Sequence, residues 1–510
     1  MSENEFYIDL LNSAGAKIGD GPLTNILKAS FGEALDRAAE CSIEVPATDQ
    51  RVIDLLATAA YARLVASDGY TRTAIITTRT MRAAAPPVVI IGGYDLVAEL
   101  NRYTCGWLAD YKTNAGGGIY GDDANTYVLP DLIANTGWSS GTIDAGLGRY
   151  VGTFDGLTRL AALDRLRKSK GKHFRQGATE RTLDFGAFGS SSGYRLIQVE
   201  RVLRAQDANT TIGLIESLEV LEDGGDVVNL IVPFGAGQDG SYLITASNDY
   251  GKVRLKDLAE TGGSPAAYAV SDIQVRAGIR HGVETTVTAG STSTTVQVAS
   301  TAGMVAGSKV FIGDKTNAQN TNNYWNLTIA SITDATHVVF GLAITVSNGD
   351  KFITYPQFYL YDSTAYAANP REACIVFSDI EIPYRTPAGT DINQFIPTAY
   401  LLYERAKAYL ADHKSARKVY RVTPAKIPTT LRPGQTIHVI YHGRVTRDGV
   451  ASEWINVDAA LYVLNIVRTY NGDGTTSVSL EVSDVNRQRQ SDADLVTQIA
   501  NGSGAMAVRV

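Results

Sequence analysis

The stretch from Leu431 to Ser483 most constrains what this chain can fold into. Leu431–Arg432–Pro433–Gly434–Gln435 is turn chemistry that opens into a strand at Thr436–His442. Two further strands, Tyr462–Tyr470 and Thr476–Ser483, are joined by Asn471–Gly472–Asp473–Gly474. In the last strand Val478, Leu480 and Val482 alternate with serine and glutamate, the pattern of a half-buried strand. The chain then enters a polar tail, Asp484–Gln490. The pattern specifies a closed β-module and offers no dense set of catalytic side chains.

The rest of the chain has the same texture. It has 510 residues, among them 48 glycines and 26 tyrosines, which favours strands and turns. A chain of this length is expected to bury about three or four cores. The net charge of -7 is mild and spread out, and gives no support for a nucleic-acid-binding surface. MSENEFYIDLL has no basic region, and no stretch reaches the roughly 18–20 apolar residues of a membrane span, so neither a secretory signal nor an anchor is expected. Export would be by lysis or within a particle. Cys41, Cys105 and Cys374 are few, odd in number and far apart, which argues against a disulfide framework and for assembly in a reducing cytosol.

The predicted fold class is mainly β and multidomain. Residues 1–95 read as a β domain, with strands at Phe6–Leu11, Cys41–Val45, Tyr61–Val65, Thr71–Thr80 and Val88–Ile91, and Leu35–Ala39 as a short helix or strand edge. Residues 96–210 read as a small α/β domain. Its helical pieces are Asp95–Asn101, Asp131–Asn135 and Asp155–Ser169, the last stopped by Gly171 and followed by strands at Lys172–Arg175 and Thr182–Phe185. Residues 211–282 return to β, with a strand at Asp226–Pro233. Residues 283–355, rich in threonine, serine and valine, read as an inserted all-β domain in which Gly313–Asn326 is an exposed loop; a long surface insertion adds little closure entropy. Residues 356–416 connect back to the host. They carry a helix whose Ala399, Leu402, Ala406 and Tyr409/Leu410 share a face, with Pro397 in its first turn. Residues 417–490 form the final β domain, and 491–510 a tail.

The candidate sites resolve to bland readings. His438 and His442 lie on a strand, where a spacing of four puts them roughly 13 Å apart. One metal ion with bonds of about 2 Å cannot span that. Gly189–Ser190–Ser191–Ser192–Gly193 has the letters of a nucleophile elbow but reads as a flexible turn between strands. Cys105 reads as a small core residue. Asp379, Glu381 and Asp391 could supply a glycosidase pair but read as solvated loop acids. Gly116–Gly118 with Gly121, and Gly235–Gly240, lack the lysine and the strand-to-helix context of a phosphate loop; the second reads as a strand end with a hairpin-like turn. No catalytic, cofactor-binding or metal-ligating residue is therefore assigned. Tyr355, Phe358, Tyr359, Tyr361 and Tyr366 cluster after the insert and suit either a protein interface, sugar contacts or ordinary strand packing.

Several pieces in order resemble a known family: Gly92–Gly93–Tyr94–Asp95–Leu96, Phe154–Asp155–Gly156–Leu157 with the Leu160–Leu166 helix, Leu183–Asp184–Phe185–Gly186 followed by Phe188–Gly189, Val228 through Gly237, and Leu431–Gln435 with the strands that follow. The chain resembles the siphovirus tail proteins named for gene product thirty-seven, relatives of phage tail hubs. Residues 283–355 resemble threonine-rich modules of phage structural proteins. The resemblance implies tail-hub-like β-barrel domains and a ring, usually a trimer, at the distal end of a virion tail, assembled in the host cytoplasm. It implies as partners a distal tail or tail tube protein, the tape-measure protein, and a central fibre, spike or receptor-binding protein. DNA would pass through without specific binding. No catalytic residue or cofactor comes with it. The competing expectations are an adhesin that binds a host surface glycan or receptor through 283–355, a cell-wall-degrading tail enzyme, and the hub of a contractile injection system.

Overall fold

Period-two burial builds the first sheet. In Glu40–Pro46, Cys41, Ile43 and Val45 turn inward while their neighbours face outward. The strands are Phe6–Leu11 (β1), Lys28–Ala34 (β2), Glu40–Pro46 (β3), Tyr61–Ala66 (β4), Thr71–Arg82 (β5) and Val88–Asp95 (β6). They pair antiparallel in the order β1-β4-β5-β6-β3-β2. Ile8, Leu10, Phe31, Ile43, Val45, Leu64 and Ile91 fill the inner face. The strand β2 is absent from the sequence reading, because its small and polar residues carry little apolar signal. Leu35–Arg37 is neither helix nor strand but a bend in which Asp36 takes φ 64°. The computed structural model describes residues 6–48, 58–83, 87–107, 122–150, 152–198, 211–225, 227–237, 252–255, 272–278, 282–316, 323–377, 392–447, 450–484 and 506–508, with Leu56, Ala109, Tyr111 and Ile380.

A 3₁₀ turn at Leu96–Arg102 leads into the α/β unit. Here Asp122–Asp123 (β7) pairs with Arg149–Tyr150 (β9), while Ser139–Ile143 (β8), His173–Gln176 (β10) and Thr182–Gly186 (β11) form a sheet ordered β10-β11-β8. The second helical piece starts earlier than read, at Leu129–Ile133 after a wide turn at Ala124–Val128. The main helix runs Arg159–Lys170 and starts four residues later than read. Thr158 caps it by accepting the Ala161 N–H, and Asp155 is engaged elsewhere, accepting the Ala109 N–H at 2.7 Å. It ends at Gly171, whose φ of 59° few other residues adopt cheaply. Leu163, Leu166, Phe174 and Phe185 share one core with Leu11, Tyr61 and Ile75 of the first sheet.

The chain next forms parallel strands Ser191–Gln198 (β12) and Thr211–Asp223 (β13). Leu230–Gly237 (β14), Lys252–Arg254 (β15) and Gln274–Ala277 (β16) begin a separate mixed sheet. The strand expected at Asp226–Pro233 is thus shifted, and Val227 and Val228 precede it. The insert follows as Glu284–Thr286 (β17), Ser291–Gln297 (β18), Lys309–Gly313 (β19), Tyr324–Ile332 (β20), His337–Val346 (β21) and Lys351–Thr354 (β22). Their order β17-β22-β19-β20-β21-β18 is closed by the Val287–Val298 bridge, making a small barrel around Val296, Ile312, Ile329, Phe340 and Phe352. Part of the stretch expected as a loop is therefore strand, since β19 reaches Gly313 and β20 starts at Tyr324.

Pro356–Tyr361 (β23) and Glu372–Phe377 (β24) return to the mixed sheet, and Ile392–His413 is a helix packed on it through Ala399, Leu402, Ala406 and Leu410. Pro397 is the sixth residue of that helix, not part of its first turn. The two ends of the insert leave from neighbouring positions, Ala277 opposite Pro356.

Arg417–Pro424 (β25), Thr436–Arg447 (β26), Val450–Asn471 (β27) and Thr476–Ser483 (β28) complete the large sheet, and Met506–Val508 (β29) pairs with β24. Because β28 pairs with both β25 and β27, the pairings β27-β26-β12-β13-β25-β28 return to β27 and close a six-stranded barrel. Leu196, Val422, Val439, Val463, Leu480 and Val482 fill it. So β12 and β13 supply two staves of the barrel signalled by residues 431–483. The strand β27 is longer than the expected Tyr462–Tyr470. Its first half pairs with β26, and Asn465–Asn471 pairs with β2. Tyr470 enters the core of the first sheet, 5.5 Å from the ring of Phe6 on β1. The first sheet therefore curls back on β27, and one strand is shared by both barrel-like bodies.

Candidate interaction surface

Alternation along β23 sorts the aromatic cluster. Phe358 and Leu360 point into the core, while Tyr359 and Tyr361 face outward. Tyr366 joins them from the short helix Ser363–Ala368, which Asp362 caps by accepting the Ala365 N–H at 2.9 Å. The rings meet edge to face, Tyr359–Tyr361 at 5.7 Å and Tyr361–Tyr366 at 6.1 Å. Arg276, from the neighbouring strand β16, lies over Tyr359 at 5.3 Å. Its guanidinium donates to both carboxylate oxygens of Glu372, at 2.8 and 2.9 Å, and to Gln357 at 2.9 Å. The Tyr366 hydroxyl donates to Glu372 at 2.6 Å. Arg276 holds the Glu372 carboxyl below its ordinary range. Three of the five clustered aromatics thus form one half-exposed surface. Phe358 is core, and Tyr355 sits at the insert junction with φ 48°. Sequence reasoning missed Arg276 and Glu372, which lie 96 residues apart with no local signal linking them. Such a surface, with rigid aromatics and polar groups already held in place, suits contact with another macromolecule.

A second feature is an open groove of about 280 Å³ beside Trp107 and Cys105, reaching Tyr111, Asp131 and Arg159. Trp107 is 82% exposed. Cys105 packs against the α/β core, and burial pushes its thiol up, away from the reactive thiolate.

The other chemical candidates disperse. His438 hydrogen-bonds Asp458 at 2.7 Å on the adjacent strand, and His442 lies further along β26. Among the described residues no three His, Cys, Asp or Glu converge on a metal-sized site. Ser191, Ser192 and Gly193 are not a flexible turn but the start of β12, where the Ser192 hydroxyl donates to the Thr436 carbonyl at 2.8 Å. Gly235–Gly237 continue β14, and the end of that run, where a hairpin-like turn is expected, lies outside the described residues. Asp379, Glu381, Asp391, Gly116–Gly118, Gly121 and 238–240 lie outside the described residues.

The turn Leu431–Gln435, the strongest sequence signal, forms a seam. The Arg175 guanidinium on β10 donates to the Pro433 carbonyl at 2.5 Å and to Asp184 at 3.2 Å, and covers the Phe188 ring. Arg432 donates back to the carbonyls of Gln176, at 2.7 Å, and Gly177. Opposite them, Arg72 pairs with Glu33, which also accepts from Tyr70 at 3.0 Å. First sheet, α/β unit and closed barrel meet here.

The chain matches no protein-family model and no curated protein. Among solved structures it is similar to the tail protein from Neisseria meningitidis MC58, at 12% identity over 94% of this chain and 97% of that one, with a TM-score of 0.44. It is similar to prophage tail protein gp18 from Listeria monocytogenes EGD-e, at 11% identity over 98% of each chain, TM-score 0.45. It is also similar to the 43 kDa tail protein of prophage MuSo2 from Shewanella oneidensis, at 10% identity over 94% of this chain and 97% of that one, TM-score 0.46.

Proposed function

We propose that this chain is a non-enzymatic tail hub protein of a phage tail tip or baseplate. It forms a threefold ring that joins the tail tube to distal tip proteins and helps close or gate the channel for genome delivery. The observation that supports this reading best is the sharing of β27 between the curled first sheet and the closed barrel. A strand common to two bodies resists bending between them, and head-to-tail contacts between such stiff units form a ring where the rotation from one copy to the next closes. A mildly acidic chain would let DNA pass without trapping its phosphates. The partners of this reading are the tube protein, the tape-measure protein and a central fibre or spike.

The tyrosine surface motivates a second reading, a tail-tip adhesin for a host glycan or receptor. Light scattering with negative-stain electron microscopy on the purified chain separates the two. Rings or stable trimers are the expected result. A strict monomer across protein concentrations and salt would overturn the self-assembling hub and make glycan binding the next measurement.

A further inference from the structure

We propose that the seam holds one buried water molecule, bound between the Asp95 carboxylate and the Gln176 side-chain amide, and that this site makes the grip between the three units respond to pH. Asp95 ends β6 and Gln176 ends β10, so the two belong to different units. Both line one small cavity, which Pro433 of the barrel turn also borders. Asp95 is 6% exposed and Gln176 8% exposed. The Asp95 Oδ1 and the Gln176 Nε2 have no hydrogen-bond partner within the protein. A buried acceptor and a buried donor left unpaired each lose their hydration without replacement, so a native fold rarely keeps both.

The cavity selects the ligand. Its volume of about 10 Å³ admits a single water-sized centre. Water donates to Oδ1 and accepts from Nε2–H, matching the two vacant valences together. A cation would face Arg72 and Arg175, and an anion would face Glu33 and Asp95 itself.

Charged and titratable groups from several elements surround Asp95, with Asp184 of β11 paired to Arg175 behind them. Glu33 comes from β2, Cys41 from β3, Arg72 from β5 and Arg175 from β10, with Arg432 behind them on the turn. Burial pushes the Asp95 carboxyl up to about 7, and Arg72 only partly offsets it while Glu33 adds to it. The folded chain therefore keeps the Asp95 proton to higher pH than the unfolded chain. Stability from this group is full below the ordinary carboxylate range and is lost as pH rises through about 7.

The test uses the full chain. A structure that orders buried solvent should show one peak within hydrogen-bond reach of both atoms, and Gln176→Met should remove it. Thermal unfolding of the wild type should shift to lower temperature as pH rises from about 5 to 8.5. Asp95→Asn should flatten that slope and melt higher than wild type at the alkaline end. Two results overturn the proposal: a filled cavity with the two side chains bonded directly to each other, or an Asp95→Asn protein that keeps the wild-type pH slope. Should Asp95→Asn fail to fold, the solvent peak and its loss in Gln176→Met still decide.

Discussion

Phe311 of the inserted barrel meets Phe358 of the host sheet edge to face, with ring centroids 6.4 Å apart. Phe311 and Ile353 are fully buried in the same cluster as Ile375, Phe377 and Leu402 of the host. The insert is thus tethered at two adjacent strands and also shares a core. Phe311→Ala should destabilise this junction by about 3–5 kcal/mol. Urea unfolding checks it, and an isolated 283–355 fragment should bind a dye for exposed apolar surface more strongly than the full chain.

Asp36 clamps the first sheet to the α/β unit. Its carboxylate lies 2.7 Å from His173 Nδ1 and 3.3 Å from Arg167, and accepts the Phe174 N–H at 2.9 Å. Asp36→Ala leaves the mostly buried Arg167 with fewer partners and also places alanine at a positive φ. A loss of about 3–5 kcal/mol is expected. Asp36→Asn keeps a residue that tolerates this conformation and should cost less, which denaturant midpoints compare directly.

Gly93 lies opposite Ile76, where β5 shifts register. A Cβ at this position would fall 1.8 Å from the Ile75 carbonyl oxygen, and backbone cannot swing aside as a side chain can. Gly93→Ala should cost more than about 2 kcal/mol, read as a lowered denaturant midpoint. Gly15→Ala provides the contrast: no atom crowds its Cβ, so its cost is confined to its φ of 79° and should stay near 1 kcal/mol, on the order of ordinary glycine effects.

The tyrosine surface separates binding from folding. Arg276 and Glu372 are 29% and 40% exposed, so their pair is screened by solvent. Arg276→Met should change stability by less than about 1 kcal/mol. Paired with Tyr361→Ala in a folded protein, any loss of glycan or partner binding, measured by calorimetry or pull-down of a defined tail protein, is then assigned to the surface itself.

The class of the fold was legible in the sequence because strand periodicity is local. Val478, Leu480 and Val482 announce their own face, and Gly171 announces its own helix end. The same locality explains the misses. Lys28–Ala34 has no apolar alternation of its own and is a strand because β3 and β27 hold it on both sides. The Asp155 start of the main helix gave way to Thr158 once Ala109 claimed the Asp155 carboxylate. Residues 431–483 determined by themselves their own strands and tight turn. Only the tertiary structure decided that β12 and β13 close the barrel, that β27 serves two bodies, and that Arg276 finds Glu372. Each joins segments far apart in the chain, and contacts of that kind depend on how whole sheets stack and close, a constraint that no short window of residues carries.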